Sequence, residues 1–252
     1  MHKDVIIVGA GISGIAAGYN MKKSCPNKSF SILEGRKNIG GTWDLFKYPG
    51  VRSDSDMHTL GFRFKPWIHD KSIADGPSIM EYLHETVNEN RLNDNILLNH
   101  IVDSANWNSK KSLWELKVKV NNDIKDMTCN FFFLCGGYYS YTKPHMPYFK
   151  NQENFEGQIV HPQFWDESLN YKNKKIAVIG SGATAITIVP AIAEQAQHVV
   201  MLQRSPTYVV SGPSEDVINK FLRKILPIRI TYFLIRWKNI LYQSFTFFMA
   251  RK

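Results

Sequence analysis

Val5-Ile6-Ile7-Val8-Gly9-Ala10-Gly11-Ile12-Ser13-Gly14-Ile15-Ala16-Ala17-Gly18-Tyr19 is the stretch that decides the fold. Four apolar residues read as a buried strand, the glycines as a turn, and the residues from Ile15 onward as a helix. That order is what a dinucleotide-binding turn requires. Gly9 permits the tight turn, Gly11 lets backbone approach a pyrophosphate, and Gly14 lets the helix pack close to the strand. Ser13 sits in the first helical turn, where free N–H groups and the positive dipole end meet an anion. The next apolar run, Ser29-Phe30-Ser31-Ile32-Leu33, ends at Glu34. A carboxylate at that place accepts hydrogen bonds from both hydroxyls of an adenosine ribose and repels a 2′-phosphate.

The same grammar returns later in the chain. Lys175-Ile176-Ala177-Val178-Ile179 reads as a buried strand, followed by Gly180-Ser181-Gly182-Ala183-Thr184-Ala185 and a helix from Ile186 to Gln195. This is GxGxxA, with Ala185 at the packing position. Pro190 falls inside the helix and is expected to kink it. The following strand, His198-Val199-Val200-Met201-Leu202, leads to Gln203-Arg204-Ser205, with no acid where Glu34 stands in the first unit. Arg204 and the Ser205 hydroxyl suit a 2′-phosphate. The chain therefore reads as α/β, with two Rossmann-like units of opposite ribose preference.

Between these units the signals are less regular. Residues 36–64 form a long loop containing Gly40-Gly41-Thr42-Trp43-Asp44-Leu45 and Tyr48-Pro49-Gly50-Val51-Arg52-Ser53-Asp54-Ser55. A loop of that length without periodicity is functional or disordered, and its aromatic residues argue against disorder. Residues 78–88 read as a helix capped by Ser78, with Ile79, Leu83 and Val87 on one face. Trp114, Leu116, Val118 and Val120 alternate with charged residues, a half-exposed strand of a β-meander. Phe131-Phe132-Phe133-Leu134-Cys135 is apolar throughout and is expected to be buried on both faces. Residues 138–174 are a connector.

The 252 residues carry a formal charge of +9, with 44% hydrophobic and 21% charged residues, ordinary for a soluble globular protein. Residues 211–252 hold eight Lys/Arg against Glu215 and Asp216, so most of the excess sits in the tail. No basic recognition helix or aromatic RNA-binding strand is present, which sets nucleic acid aside. Cys25, Cys129 and Cys135 fall in no metal or CxxC spacing, which fits a reducing compartment and no metal. The start runs directly into a strand, which predicts no signal peptide and a cytoplasmic location. Residues 217–249 read as helical, basic and apolar by turns. They fit helices packed on a part of the protein not present here, peripheral contact with the inner face of the membrane, or an oligomer interface. The oligomeric state itself is not readable.

These motifs together resemble the FAD-dependent Baeyer–Villiger-type monooxygenases, and within them the ethionamide-activating group. The resemblance rests on residues 9–14, Gly40-Gly41-Thr42-Trp43-Asp44-Leu45, residues 48–56, and Thr59-Leu60-Gly61-Phe62-Arg63-Phe64. It rests also on Phe155-Glu156-Gly157-Gln158-Ile159-Val160-His161-Pro162-Gln163-Phe164-Trp165-Asp166, which fits the fingerprint FxGxxxHxxxW(P/D). Related N- and S-oxygenating flavin monooxygenases place Tyr or Phe where Trp165 stands.

The resemblance implies FAD and NADP(H) as cofactors, in the two-dinucleotide plan of glutathione reductase. It implies an NADPH- and O2-dependent monooxygenase that forms a C4a-peroxyflavin and oxidises a ketone or an organosulfur substrate. By similarity, Ser13, Glu34, Gly41, Thr42, Trp43, Asp44, Leu45, Ser53, Asp54 and Val102 contact FAD. Gly180, Ser181, Gly182, Ala183, Thr184, Ala185 and Ile186 hold the NADP pyrophosphate, and Arg204 and Ser205 its 2′-phosphate. Arg52 and Asp54 lie between flavin and nicotinamide as the catalytic pair, Asp54 acting electrostatically. His161 and Trp165 govern movement of the NADP unit. The implied domains are 1–150 for FAD, 151–210 for NADP and 211–252 as a basic helical start of the substrate region. The resemblance covers the front half of the family's length, so the chain reads as truncated, and whether it binds FAD or is active alone is not readable from it. An inactive nucleotide-binding remnant and an N-/S-oxygenating monooxygenase remain as alternatives. A flavin disulfide reductase would need a redox cysteine pair, and Cys129 and Cys135 lie at opposite ends of one expected strand.

Overall fold

The computed structural model describes residues 1–205, 209 and 213–251. The chain divides into two units, one of residues 1–47 and 77–165, the other of residues 48–76 and 166–252.

In the first unit, β1 (His2–Val8) continues through the glycine turn into α1 (Ile12–Ser24) and returns as β2 (Phe30–Leu33). Asp4 closes the base of this β-α-β unit: its carboxylate accepts from the Ser29 N–H and hydroxyl, both at 2.7 Å. Those hydrogen bonds hold its carboxyl down at about 2. Short α2 (Thr42–Leu45) lies within the long loop, and α4 (Gly76–Glu89) follows it. The α4 helix starts two residues before Ser78, so Pro77, not a serine cap, marks its entrance, where a missing N–H costs nothing. Its Ile79, Leu83 and Val87 are buried on one face, as their spacing predicts.

The sheet is completed by β3 (Ile96–Leu97), β4 (His100–Asn108), β5 (Leu113–Val120) and β6 (Asp123–Leu134). Its order is β3-β2-β1-β6-β5-β4. The β3, β2, β1 and β6 pairings are parallel, and β6-β5-β4 is an antiparallel meander. Leu116 and Val118 point inward to join Ile6, Leu33, Met127 and Cys129 in one core. Phe131-Phe132-Phe133-Leu134 departs from expectation. Phe132 packs on that core, but Phe131 and Leu134 are each 71% exposed and Phe133 is 54% exposed. The run pairs with β1 yet has a layer on one face only among the described residues, so apolarity here does not mean two-sided burial.

The second unit contains β7 (Lys175–Ile179), α5 (Ala183–Ala193) and β8 (His198–Leu202), a parallel β-α-β with register Lys175↔His198 through Ile179↔Leu202. These strands are also more open than expected: Ile179, Val200 and Leu202 are exposed. Among the described residues only α5 covers the two-stranded sheet, through Ala185, Ile188 and Ile192.

Residues 48–76, including α3 (Met57–Leu60), belong to this unit, with α6 (Val217–Ile225) and α7 (Ile228–Ala250). The tail helices have a partner within the chain. Asp56 caps α3 through the Thr59 N–H and accepts from the Asn239 and Gln243 amides at 2.8 Å each. Arg236 donates to the carbonyls of His58 and Gly61, and the Tyr232 hydroxyl donates to that of Phe62. Lys238 pairs with Asp216, the N-cap of α6, at 2.5 Å. The polar side of α7 is thus occupied by residues 56–62, a partner the helical periodicity could not name. No helix among the described residues is long and apolar enough to cross a membrane.

Candidate functional site

The first glycine turn sits at the carboxyl end of β1, where β2 lies on one side and β6 on the other. That reversal of strand order leaves a crevice. Gly9 has φ +98°, and a Cβ there would lie 2.4 Å from the Cys135 carbonyl oxygen. A Cβ on Gly14 would lie 1.8 Å from the Gly9 oxygen, so the first turn of α1 rests directly on the end of β1. Gly11, by contrast, faces backbone: its Cβ would find only Gly41, at 3.6 Å. Gly41 has φ +55° and lies against Gly11, while the Gly40 N–H bonds the Ala10 carbonyl at 2.9 Å. The result is a cradle walled by main chain on two sides. The N-terminus of α1 has no side-chain cap and no acid in its first turn, which leaves its dipole free for an anion.

Glu34 lies at the end of β2 and is 3% exposed. One carboxylate oxygen accepts from the Ala10 N–H at 2.7 Å and the other from the Arg36 N–H at 3.0 Å. These bonds fix the carboxylate at the edge of the glycine turn, and each oxygen retains a lone pair for a diol. Val102 is brought to the same end of the sheet: the neighbouring His100 N–H bonds the Glu34 carbonyl, and β4 shifts register between Val102 and Ser104.

The α2 residues stand beside the cradle in unequal roles. Asp44 is buried and engaged, paired with Arg36 at 2.7 Å and bonded to the Asn38 amide at 3.3 Å. It holds the loop rather than offering a free carboxylate. Thr42, Trp43 and Leu45 follow Gly41 on the same turn. One residue that motif reading missed is Tyr141. Its ring lies 5.4 Å from the Arg36 guanidinium, and its hydroxyl is 3.7 Å from where a Gly41 Cβ would be. Burial, together with the charge of Glu34, pushes its phenol up. The only signal in the sequence was an aromatic residue shortly after Gly136-Gly137, in a stretch otherwise read as connector.

The second turn repeats the first with looser packing. Gly182 caps α5 at φ −79°, ψ 178°, close to Gly11 at −77°, −172°. The α5 N-terminus also has neither a side-chain cap nor a first-turn acid. Gly180 has φ +138°, and its Cβ would lie 3.9 Å from that of Ala185, which explains why alanine fits there. Among the described residues nothing lies within 4 Å of a Gly182 Cβ, which leaves backbone accessible at the start of α5 beside Ser181, Ala183, Thr184 and Ile186. Arg204 and Ser205 are exposed just beyond the carboxyl end of β8.

Arg52, Ser53 and Asp54 lie on the loop that belongs to the second unit. Ser53 is buried: its N–H bonds the Ala74 carbonyl and its hydroxyl the Ser55 carbonyl. Arg52 and Asp54 flank it and are exposed. The His161 ring caps the short turn Pro162–Phe164 by accepting from the Gln163 N–H at 3.2 Å. The division between the units falls directly after Trp165. Cys129 and Cys135 are free thiols, both pushed up by burial, and so are poor thiolates.

The model of the pyridine nucleotide-disulphide oxidoreductase family matches residues 6–227. The FAD-containing monooxygenase EthA of Mycolicibacterium smegmatis is 51% identical over all 252 residues, which correspond to 51% of that protein. A probable FAD-binding monooxygenase, AlmA, of Acinetobacter sp. is 49% identical over 99% of the chain and 50% of its own length. Among solved structures, an oxidised steroid monooxygenase bound to NADP superimposes with a TM-score of 0.77 at 26% identity, over 92% of this chain and 43% of that one. The chain spans about half the length of the curated relatives it matches. Two glycine turns on parallel β-α-β units and the match of the family model through both make this chain a member of the pyridine nucleotide-disulphide oxidoreductase family.

Proposed function

We propose that this chain is the dinucleotide-binding part of an NADPH- and O2-dependent flavin monooxygenase, with FAD in the first cradle and NADP(H) in the second. The observation that carries it is the pairing of two uncapped helix N-termini with opposite ribose-facing groups, buried Glu34 at one and exposed Arg204-Ser205 at the other. In the same reading residues 1–150 serve FAD, 151–210 serve NADP, and 211–252 begin a helical substrate region.

The residues present fit both groups. Gly11 and Gly41 lie backbone to backbone beside the first turn, where a Cβ on Gly41 would stand 3.1 Å from the Gly11 Cα, so main chain and not side chains borders the pyrophosphate site. Glu34 receives the ribose diol of FAD, and residues 12–14 offer N–H groups to the phosphates. Arg36 and Asp44 keep the Gly41–Leu45 turn in place around it. At the second cradle, residues 180–186 receive the NADP pyrophosphate, and Arg204 with Ser205 reads its 2′-phosphate. Arg52 and Asp54 carry opposite charges on one loop of the second unit and set the local field there. FAD, when bound, accepts hydride from NADPH and activates dioxygen. The protein supplies binding, orientation and exclusion of water. Baeyer–Villiger oxidation of a ketone and oxygenation of sulfur are both within this chemistry. The EthA and AlmA names support the monooxygenase class without choosing between the two.

The test is purification of the 252-residue chain followed by an absorbance scan and NADPH titration. A yellow protein that binds NADPH more tightly than NADH supports the reading. A colourless protein that binds neither FAD nor NADPH refutes it. A subsidiary reading concerns the tail. Trp237, Phe245, Phe247 and Phe248 are exposed alongside basic Lys224, Arg229 and Arg251, a composition that suits an anionic lipid surface. Co-sedimentation with anionic but not neutral vesicles tests it.

A further inference from the structure

The loop that carries Arg52, Ser53 and Asp54 is fastened to the helix that forms the second cradle. Tyr48 is 7% exposed, and its phenol hydrogen-bonds the side chain of Thr184, in the first turn of α5. Two residues on, Gly50 has φ +77°, and a Cβ there would lie 2.9 Å from both the Ala191 Cβ and the Thr187 carbonyl oxygen. The backbone of the loop therefore lies flat on the same helix one and two turns further along.

From Val51 onward the strap is braced along its other side. The Gly76 N–H bonds the Val51 carbonyl at 2.8 Å, Arg52 bridges to Asp75, and the Ser53 N–H bonds the Ala74 carbonyl at 2.9 Å. Little slack is left between Tyr48 and Asp54. The Asp54 carboxylate is near enough to raise the Tyr48 phenol, after burial itself.

We propose that Tyr48 and Gly50 are positioning residues that lock the Arg52–Asp54 strap to the α5 turn, so that NADP+ bound at that turn orders the strap. This rests on the proposed NADP site. A dinucleotide on the α5 N-terminus fixes residues 183–186, and Thr184 passes that restriction to Tyr48. The close seat of Gly50 transmits any residual shift of α5. Ligand occupancy at the α5 turn and the placement of the two charged side chains thereby become one event.

Hydrogen–deuterium exchange on the 252-residue chain, with and without saturating NADP+, reads this directly. Expected is slowed exchange at residues 180–187 and also at 50–56, the latter by about fivefold, the scale of one hydrogen bond. Tyr48→Phe keeps the NADP+ dissociation constant within about threefold while removing most of the slowing at 50–56. Gly50→Ala, which leaves the phenol in place, weakens the coupling by lifting the loop from α5. Protection confined to 180–187 in the unaltered chain overturns this inference alone. Undiminished protection at 50–56 in both variants overturns it as well. No protection at 180–187 overturns the NADP site and this inference together.

Discussion

Gly14→Ala and Ala185→Gly exchange the packing residue between the two glycine turns, and the structure assigns them very different costs. A methyl on Gly14 would stand 1.8 Å from the Gly9 oxygen and 2.9 Å from its carbon. Restoring an ordinary contact requires the first turn of α1 to retreat by about 1.5 Å. The helix has nowhere to go cheaply. Ile15 is completely buried beneath it, and at Gly18 the helix already lies so close to β2 that an added Cβ would stand 2.6 Å from the Ile32 Cδ1. Overpacking of a tight core costs about 1–3 kcal/mol, and the rigid carbonyl partner places this change at the upper end. With a urea m-value of about 2 kcal/mol/M, the unfolding midpoint should fall by roughly 1–1.5 M. In the second turn the Ala185 methyl is accommodated, 3.9 Å from where a Gly180 Cβ would be, and its removal costs only about 1 kcal/mol of helix preference. Urea unfolding followed by tryptophan fluorescence compares the two. A Gly14→Ala midpoint within 0.5 M of the parent would mean that α1 does not rest on β1 as described.

Four further outcomes are expected. Glu34→Gln should weaken FAD binding by about tenfold or more, because a charge-assisted acceptor becomes a neutral amide beside Ala10 and Arg36; fluorescence titration measures it. Arg204→Ala should raise the dissociation constant for NADPH by about tenfold and leave NADH nearly unchanged, which isothermal titration resolves. Asp56→Ala removes the α3 cap and the acceptor for Asn239 and Gln243, and should cost about 1–2 kcal/mol in urea unfolding. His58 is fully buried, with neither ring nitrogen hydrogen-bonded among the described residues. Burial lowers its folded value below the ordinary 6.5; Asp56 and Asp216 oppose this, while Lys238 and Arg223 add to it. Below pH 6.5 the unfolded chain therefore binds the extra proton, and stability falls as pH drops from 6.5 toward the folded value. His58→Phe should remove that part of the pH dependence, as urea midpoints at pH 7 and pH 5 would register.

Periodicity and turn chemistry located the strands and helix on either side of each glycine turn, because each β-α-β unit writes its own order locally: apolar run, glycines, helix. What they could not supply was the number of neighbours each element has. Phe131-Phe132-Phe133 and Ile176-Ala177-Val178 are apolar at every position, yet each covers only one face, since burial depends on a layer contributed from elsewhere. Asp44 shows the same limit at the level of a side chain. Its place in the Thr42–Leu45 turn was readable, but its pairing with Arg36 eight residues earlier follows from the fold of the loop. Tyr141 joins Glu34 and Gly41 across about a hundred residues of chain, a juxtaposition produced by β6 lying next to β1.

The tail gives the strongest instance of this dependence. Its alternation of basic and apolar residues fits helices packed on a part of the protein not present here, a membrane surface or an oligomer interface. What its polar side meets within the chain is set by groups outside the helix: the Asp56 carboxylate, the carbonyls of His58, Gly61 and Phe62, and the Asp216 cap. All of these except Asp216 lie on the loop that also carries Arg52 and Asp54 and is seated on α5 through Tyr48 and Gly50. A single strap, irregular in sequence and without periodicity of its own, thus ties the second glycine turn to the tail helices. Its irregularity is the physical consequence of meeting three different surfaces with one stretch of backbone.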